Sequence, residues 1–161
     1  MAARRNAAYD SLSLFPDPAV EKRPAHQLHV YASRHNCHIT LWGPPNSVRM
    51  NKKKDKEAFK GGAILSMSAG QLGFRHSGRK HYDSAFQLAS YVFARMAEAG
   101  VSQDVQDLEL YLRGFGAGRE AVTKALLGAE GKLLRGKVRK VADTTRLKFG
   151  GTRSPKPRRL G

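Results

Sequence analysis

The run Leu112-Arg-Gly-Phe-Gly-Ala-Gly-Arg-Glu120 carries the most specific chemical suggestion in the chain. A strand-like stretch enters a glycine-rich turn and leaves into a helix-like stretch. Glycines let backbone amides approach an oxyanion, and the start of a helix favours a phosphate. A dinucleotide fingerprint requires Gly or Ala where Arg119 stands, and a P-loop requires a Lys-Ser/Thr pair that this run lacks. Two readings are left, and the local residues balance them evenly. In one, a nucleic-acid phosphate is held by Arg113, Arg119 and the amides around Gly114, Gly116 and Gly118. In the other, the run is a tight strand-to-helix turn with no ligand.

Two further segments suit the same partner. Ser68-Ala-Gly-Gln-Leu-Gly-Phe-Arg-His-Ser-Gly-Arg-Lys-His81 is flexible and basic, and arginine can grip phosphate oxygens in pairs. Its candidate RNA ligands are Arg75, His76, Ser77, Gly78, Arg79, Lys80 and His81. The tail Lys148-Phe-Gly-Gly-Thr-Arg-Ser-Pro-Lys-Pro-Arg-Arg159 has prolines against a helix and no apolar period for a core. Such segments order on a polyanion and bind by counterion release. Arg146, Lys148, Arg153, Lys156, Arg158 and Arg159 are its candidates. A turn at Arg34, His35 and Asn36 and the knot at Lys52, Lys53 and Lys54 complete the set.

Charge supports this direction. The 161 residues hold 29 Lys and Arg against 13 Asp and Glu, a net charge of +16. Such a field repels itself, so a polyanion is the expected partner, nucleic acid ahead of an anionic membrane surface. The charge is uneven: residues 131–161 hold eleven basic residues and one acid, Asp143, while residues 1–26 hold four basic and three acidic. No apolar run of about 18 residues is present, so no membrane span is expected. The length allows one domain with tails.

Metal and catalytic chemistry find little support. His29, His35, Cys37 and His38 crowd two strands, but Cys37 and His38 are strand neighbours that face opposite ways. No Cys-x-x-Cys or His-x-x-x-His spacing occurs, and the lone Cys37 is read as a small buried hydrophobe. A nuclease would want clustered carboxylates for metal ions. The two leading strands have none, and Asp104, Asp107 and Glu109 read as surface charges. Neither an enzyme nor a cofactor is expected.

The elements that must position these segments follow from period. Gln27–Ser33 and Asn36–Trp42 alternate, with Leu28, Val30 and Ala32 on one face of the first and Ile39 and Leu41 on one face of the second. Ala63–Met67 is a third strand, after an extended basic loop over 43–62. Asp83–Ala99 is a helix with Ala85, Ala89, Val92 and Met96 inward, flanked by Phe86, Phe93 and Ala97, with Asp83 as cap and Gly100 as stop. Val105–Leu112 is a fourth strand. Gly118–Leu127 is a helix with Val122, Ala125 and Leu126 inward, and Leu133–Val141 is a fifth strand. The order β-β-β-α-β-α-β indicates an α/β sandwich on a mixed sheet. The expected division is an extended arm over 1–26, an α/β RNA-binding domain over 27–142 and a basic extended C-terminal tail over 143–161.

Four runs, in order, resemble the universal ribosomal protein S-eleven family of the small subunit. His35-Asn-Cys-His-Ile-Thr-Leu41 resembles that family's Asn-rich strand start. Ser68-Ala-Gly-Gln-Leu-Gly-Phe-Arg75 with Ser77-Gly-Arg-Lys80 resembles its Ala-Gly-x-x-Gly-Phe-(Arg/Lys)-Gly-Ser-Arg-Lys loop. Arg113-Gly-Phe-Gly-Ala-Gly-Arg-Glu120 resembles Lys-Gly-Pro-Gly-x-Gly-Arg-Glu, and Gly150–Arg159 resembles its Pro- and Arg-rich ending. The resemblance implies a three-layer α/β/α domain with a ribonuclease-H-like five-stranded mixed sheet and no catalysis. It implies binding to small-subunit ribosomal RNA in the platform near the messenger exit, through Arg75–His81, Gly114–Arg119 and Lys148–Arg159. Neighbouring platform proteins and messenger RNA are implied partners, with no membrane and no homo-oligomer.

The departures from the family are Phe115 in place of Pro, His76 in place of Gly, the basic 43–62 insertion and a tail start at Thr144–Gly151 that is not proline-rich. They point to an organellar ribosome, in the mitochondrial matrix ahead of a bacterial or plastid one. The acid-free, Arg-containing Met1–Ala8 is of transit-peptide type. The rival readings are a nuclease of the same fold class and a stand-alone nucleic-acid chaperone or compaction protein.

Overall fold

Alternation along two neighbouring strands builds the hairpin from which the sheet grows. In the computed structural model, which describes residues 24–48 and 59–156, β1 (His26–Ser33) and β2 (Asn36–Gly43) pair antiparallel. Leu28, Val30 and Ala32 of β1 and Cys37, Ile39 and Leu41 of β2 are all buried. The residues between them leave by the opposite face, since side chains alternate along a strand. The Ser33 hydroxyl closes the Arg34-His35 turn, donating to the Asn36 carbonyl and accepting the Asn36 N–H, each at 3.0 Å.

β3 (Gly62–Ser68) adds antiparallel to β2. β4 (Leu108–Arg113) and β5 (Val138–Asp143) add parallel on the other side of β1, giving the order β3-β2-β1-β4-β5. Parallel neighbours need crossovers. α1 (Tyr82–Glu98) lies between β3 and β4 in the chain, and α3 (Ala117–Leu127) between β4 and β5. Leu88, Val92 and Met96 of α1 and Val122, Ala125 and Leu126 of α3 share one core with Leu28, Val30, Ile39, Leu41, Leu108 and Leu110 of the sheet. Truncating one of these large buried side chains to alanine costs about 2–5 kcal/mol.

Both helices therefore cover the same sheet face, and they pack on one another. This corrects the expected three-layer arrangement: the described residues form two layers, and no described helix covers the face that carries His29, Tyr31 and Tyr111. The mixed five-stranded α/β sheet itself is as expected.

Other departures have identifiable causes. The fourth strand begins at Leu108, not Val105. Gly100 takes a left-handed φ of 74°, and Val101–Asp104 (α2) makes one helical turn before the chain straightens. The fifth strand begins at Val138, not Leu133. Leu134 is drawn into the core, and the Lys137 ammonium donates to the carbonyls of Ser102 and Val105 at 2.7 Å each, so tertiary anchoring consumes those residues. Asp83 does not cap α1: His81 is the capping residue, with no side-chain cap bond, and Asp83 lies in the first turn. The expected inward stripe of Ala85, Ala89, Val92 and Met96 is buried, Leu88 joins it, and the flanking Ala97 is exposed.

The basic 43–62 loop is pinned at its base, where the Asn46 N–H donates to the Phe59 carbonyl at 2.8 Å. Its Lys52, Lys53 and Lys54, residues 1–23 of the expected 1–26 arm, and Arg158 and Arg159 lie outside the described residues, while His26, the last residue of that expected arm, already belongs to β1.

Candidate nucleic-acid interface

Strand direction decides which loops meet. β1, β3, β4 and β5 run one way and β2 the other. The C-terminal ends of four strands and the start of β2 therefore lie at one end of the sheet. From that end leave the Arg34-His35 turn, the 69–81 loop, the 114–116 turn and the tail from Thr144. Both α1 and α3 begin there: a Cβ at Gly118, in the first turn of α3, would stand 3.3 Å from the Cβ of Ala85 in the first turn of α1. Most of the sequence-expected site residues are thus brought to one end of the molecule.

The glycines of the 114–118 run each answer a packing demand. Gly114 has a left-handed φ of 82°, and a Cβ there would stand 3.1 Å from the Ala32 carbonyl carbon. A Cβ at Gly116 would stand 2.8 Å from the Ser33 carbonyl carbon, and one at Gly118 would stand 2.8 Å from the Cys37 sulfur. The Gly116 N–H donates to the Ala32 carbonyl at 3.1 Å. The turn is thus clamped on β1 and β2, and close approach accounts for the glycine spacing.

Arg119 is the strut of this turn. Its guanidinium pairs with Asp143 at 2.8 Å, donates to the Gly114 carbonyl at 3.3 Å and lies 4.8 Å from the Phe115 ring centre. Asp143 is held at about 2, below the usual carboxylate range, by hydrogen bonds from Thr145 and then by Arg119. The Thr144 N–H donates to the Leu112 carbonyl, and the Thr145 hydroxyl accepts the Gly114 N–H at 3.0 Å. The start of the tail is therefore fixed to the glycine turn. Phe115 is 77% exposed at the tip of that turn. The sequence marks Phe115 only as a departure from the family's Pro and not as a site residue, although a large aromatic between two glycines is an available signal.

The 69–81 loop folds as two 3-10 turns, Ala69–Leu72 and His76–Lys80. The Ser68 N–H donates to the Gln71 side-chain oxygen at 2.8 Å, and the Gly78 N–H to the Arg75 carbonyl at 3.0 Å. Arg75, His76 and His81 are exposed, and Ser77 to Lys80 are half-buried. His76 has φ 51°, in the region that disfavours residues with a Cβ. That backbone explains why glycine suits this position in the similar family. The Arg79 Nε and the His35 Nδ1 are buried without hydrogen-bond partners.

Beyond Asp143 the described tail, 144–156, has no regular structure. Arg146, Lys148, Arg153 and Lys156 are exposed along it, as are Leu147 and Phe149. The Lys148 ammonium folds back on the Thr152 carbonyl.

The histidine cluster divides as the strand geometry requires. Cys37 enters the core, where burial pushes its thiol up to about 12, while His38 is exposed on the other face. Among the described residues no group of three or more His, Cys, Asp or Glu could hold a metal ion. The acids have structural partners. Asp104 lies 3.5 Å from the buried His26 and accepts the Val48 N–H, Asp107 lies 3.6 Å from Arg139, and Glu109 accepts the Tyr111 hydroxyl at 2.7 Å. Burial lowers the His26 pKa, and Asp104 opposes that shift.

Comparison with known proteins gives a consistent result. Residues 55–159 match the family Ribosomal protein S11. The small ribosomal subunit protein uS11m of Neurospora crassa is 48% identical over 141 residues, 88% of this chain and 33% of that protein. The protein of the same description in Schizosaccharomyces pombe is 34% identical over 133 residues, 83% of this chain and 52% of that protein. The chain therefore spans about a third of the first relative and about half of the second.

Proposed function

We infer that this chain, which belongs to the ribosomal protein S11 family, is a structural, non-enzymatic constituent of the small subunit of the mitochondrial ribosome. Its task is to bind ribosomal RNA of the platform near the messenger exit. The carrying observation is the convergence of the Arg34–Asn36 turn, the 75–81 loop, the Arg113–Arg119 turn and the basic tail at one end of the sheet, in a chain of net charge +16. A-form RNA hides its base edges in a deep, narrow major groove, so this end grips phosphates and shape. Arg75, Arg79 and the tail cations contact phosphate directly. Arg119, already paired with Asp143, holds the turn in place and presents its remaining donors.

The 27–142 domain is the RNA-binding body, and neighbouring platform proteins and messenger RNA are its further partners. The strand order with β2 reversed supports the ribonuclease-H-like description of the sheet. The names of the two relatives support the mitochondrial assignment.

Gradient sedimentation of the tagged chain from mitochondrial extract, at moderate and at high salt, tests this reading. The expected result is retention in the small-subunit peak at both. Release to the top of the gradient at high salt, or spread over all nucleic acid, would instead identify a stand-alone chaperone or compaction protein.

A further inference from the structure

The sheet face turned away from the helices carries two rows of stacked side chains. In the first, the Lys140 ammonium of β5 lies 5.6 Å from the Tyr111 ring centre of β4, and Tyr111 stacks on His29 of β1 with ring centres 4.8 Å apart and planes 11° apart. In the second, the Arg113 guanidinium of β4 lies 4.5 Å from the Tyr31 ring centre of β1, and Tyr31 stacks on His38 of β2 at 6.1 Å and 21°. The register makes these rows adjacent: His29 lies opposite Tyr111, and Tyr31 opposite both Arg113 and His38. Each row runs across three strands in the order cation, tyrosine, histidine.

Burial does not explain the second row. An antiparallel or mixed sheet face left to water is ordinarily lined by small polar and charged residues. Here Tyr31 remains 41% exposed, and His38 is exposed. The carboxylate on this face, Glu109, is occupied by the Tyr111 hydroxyl and the Gln27 amide, and lies 4.0 Å from Lys140. Glu109 also forms an ion pair with Lys140, so Arg113 supplies the net positive charge above the rows.

We propose that this open face is a platform for single-stranded RNA, whose bases extend the rows at the Arg113 and His38 ends while Arg113 and Lys140 draw in its phosphates. Every base has a π-face that an aromatic ring or a guanidinium plane can stack on, whereas a duplex turns those faces inward. Two cations against one carboxylate leave the face net positive, and the whole chain carries +16, which favours a polyanion as the occupant. Arg113 also stands at the C-terminal end of β4, so the platform is continuous with the loop end described above. The proposal rests on the RNA-binding reading of that end, and adds a second surface that takes a different form of RNA.

The test uses the full chain, an oligouridylate of about 12 nucleotides, and an RNA hairpin stem of similar length, with binding read by fluorescence anisotropy. Tyr31→Leu should weaken oligouridylate binding about tenfold, while Tyr31→Phe stays within about twofold of the parent and the stem is bound equally by all three. Unchanged oligouridylate binding by Tyr31→Leu would overturn the proposal, as would an equal loss on both probes. A photoreactive side chain in place of Thr40, on the same face, gives an independent reading in assembled small subunits. A crosslink to RNA supports the platform, and a crosslink to a protein overturns it. Retention of the chain in the subunit with either negative result would remove this inference alone. Loss of the chain from the subunit would instead remove the reading on which it rests.

Discussion

Gly116→Ala is the sharpest perturbation of the loop end. Gly116 has φ −68°, open to any residue, so the substitution tests space and not backbone conformation. The alanine Cβ would stand 2.8 Å from the Ser33 carbonyl carbon and 3.1 Å from the Ala32 oxygen, and closer still to the Ser33 oxygen. These are backbone atoms of the central strand, with no flexible tip to swing aside. The turn must retreat, and it gives up the 3.1 Å bond from the Gly116 N–H to the Ala32 carbonyl. Overpacking costs about 1–3 kcal/mol and the lost bond about 1 kcal/mol, a sum of about 2–4 kcal/mol. Urea unfolding followed by circular dichroism should show the midpoint falling by about 1–2 M, for a slope near 2 kcal/mol/M. Gly136→Ala is the matched control. A Cβ at Gly136 meets nothing within 4 Å, and its effect should stay within about 0.5 kcal/mol. Equal midpoints for the two variants would refute the claim that the turn is clamped on β1.

Deleting residues 148–161 removes Lys148, Arg153, Lys156, Arg158 and Arg159. The plot of log affinity for ribosomal RNA against log salt should become shallower by up to about 4, with thermal unfolding unchanged, and an unaltered slope counts against the tail. His76→Gly relieves a left-handed φ of 51° and should raise stability by about 0.5–1 kcal/mol, against which a lower urea midpoint would speak. His26 has its pKa lowered from 6.5, chiefly by burial, so the unfolded chain takes up a proton more readily than the folded one. Stability should be complete above pH 6.5 and decline as the pH falls through the lowered pKa, and His26→Gln should flatten that decline in unfolding curves between about pH 7 and 5. The Cys37 thiol, pushed up to about 12 by burial, should react with an aromatic disulfide reagent only on the unfolding timescale. Rapid labelling of the native protein would contradict its place in the core.

Alternation was the most legible signal. Leu28, Val30, Ile39, Leu41, Leu108, Leu110 and Leu112 are all on the buried face because strand period is local and strict. Boundaries failed where distant contacts overrode period. Leu134 enters the core and Lys137 reaches two carbonyls more than thirty residues upstream, so the last strand starts late. The third layer was expected from the family's fold, and no described helix supplies it.

The site was legible as segments but not as a place. The pairings of β1 with β4, of β4 with β5 and of β2 with β3 bring three loops and the tail together, and no local pattern encodes them. The glycine run by itself balances a phosphate site against a tight ligand-free turn, and the contacts that require Gly116 and Gly118 come from β1 and β2, which no local pattern shows. The open-face rows are not legible in the sequence: Arg113 reads as part of the glycine turn, His38 as part of a histidine cluster, and Tyr31 and Tyr111 as the polar side of their strands. Their register across strands makes them a surface.

The most direct measurement is a map of RNA–protein crosslinks on this chain in assembled mitochondrial small subunits. Crosslinks to ribosomal RNA should fall at residues 34–36, 75–81, 113–119 and 146–156. Crosslinks on the exposed surface of α1, around Gln87 and Tyr91, with none at the loop end, would contradict the assignment of that end to ribosomal RNA.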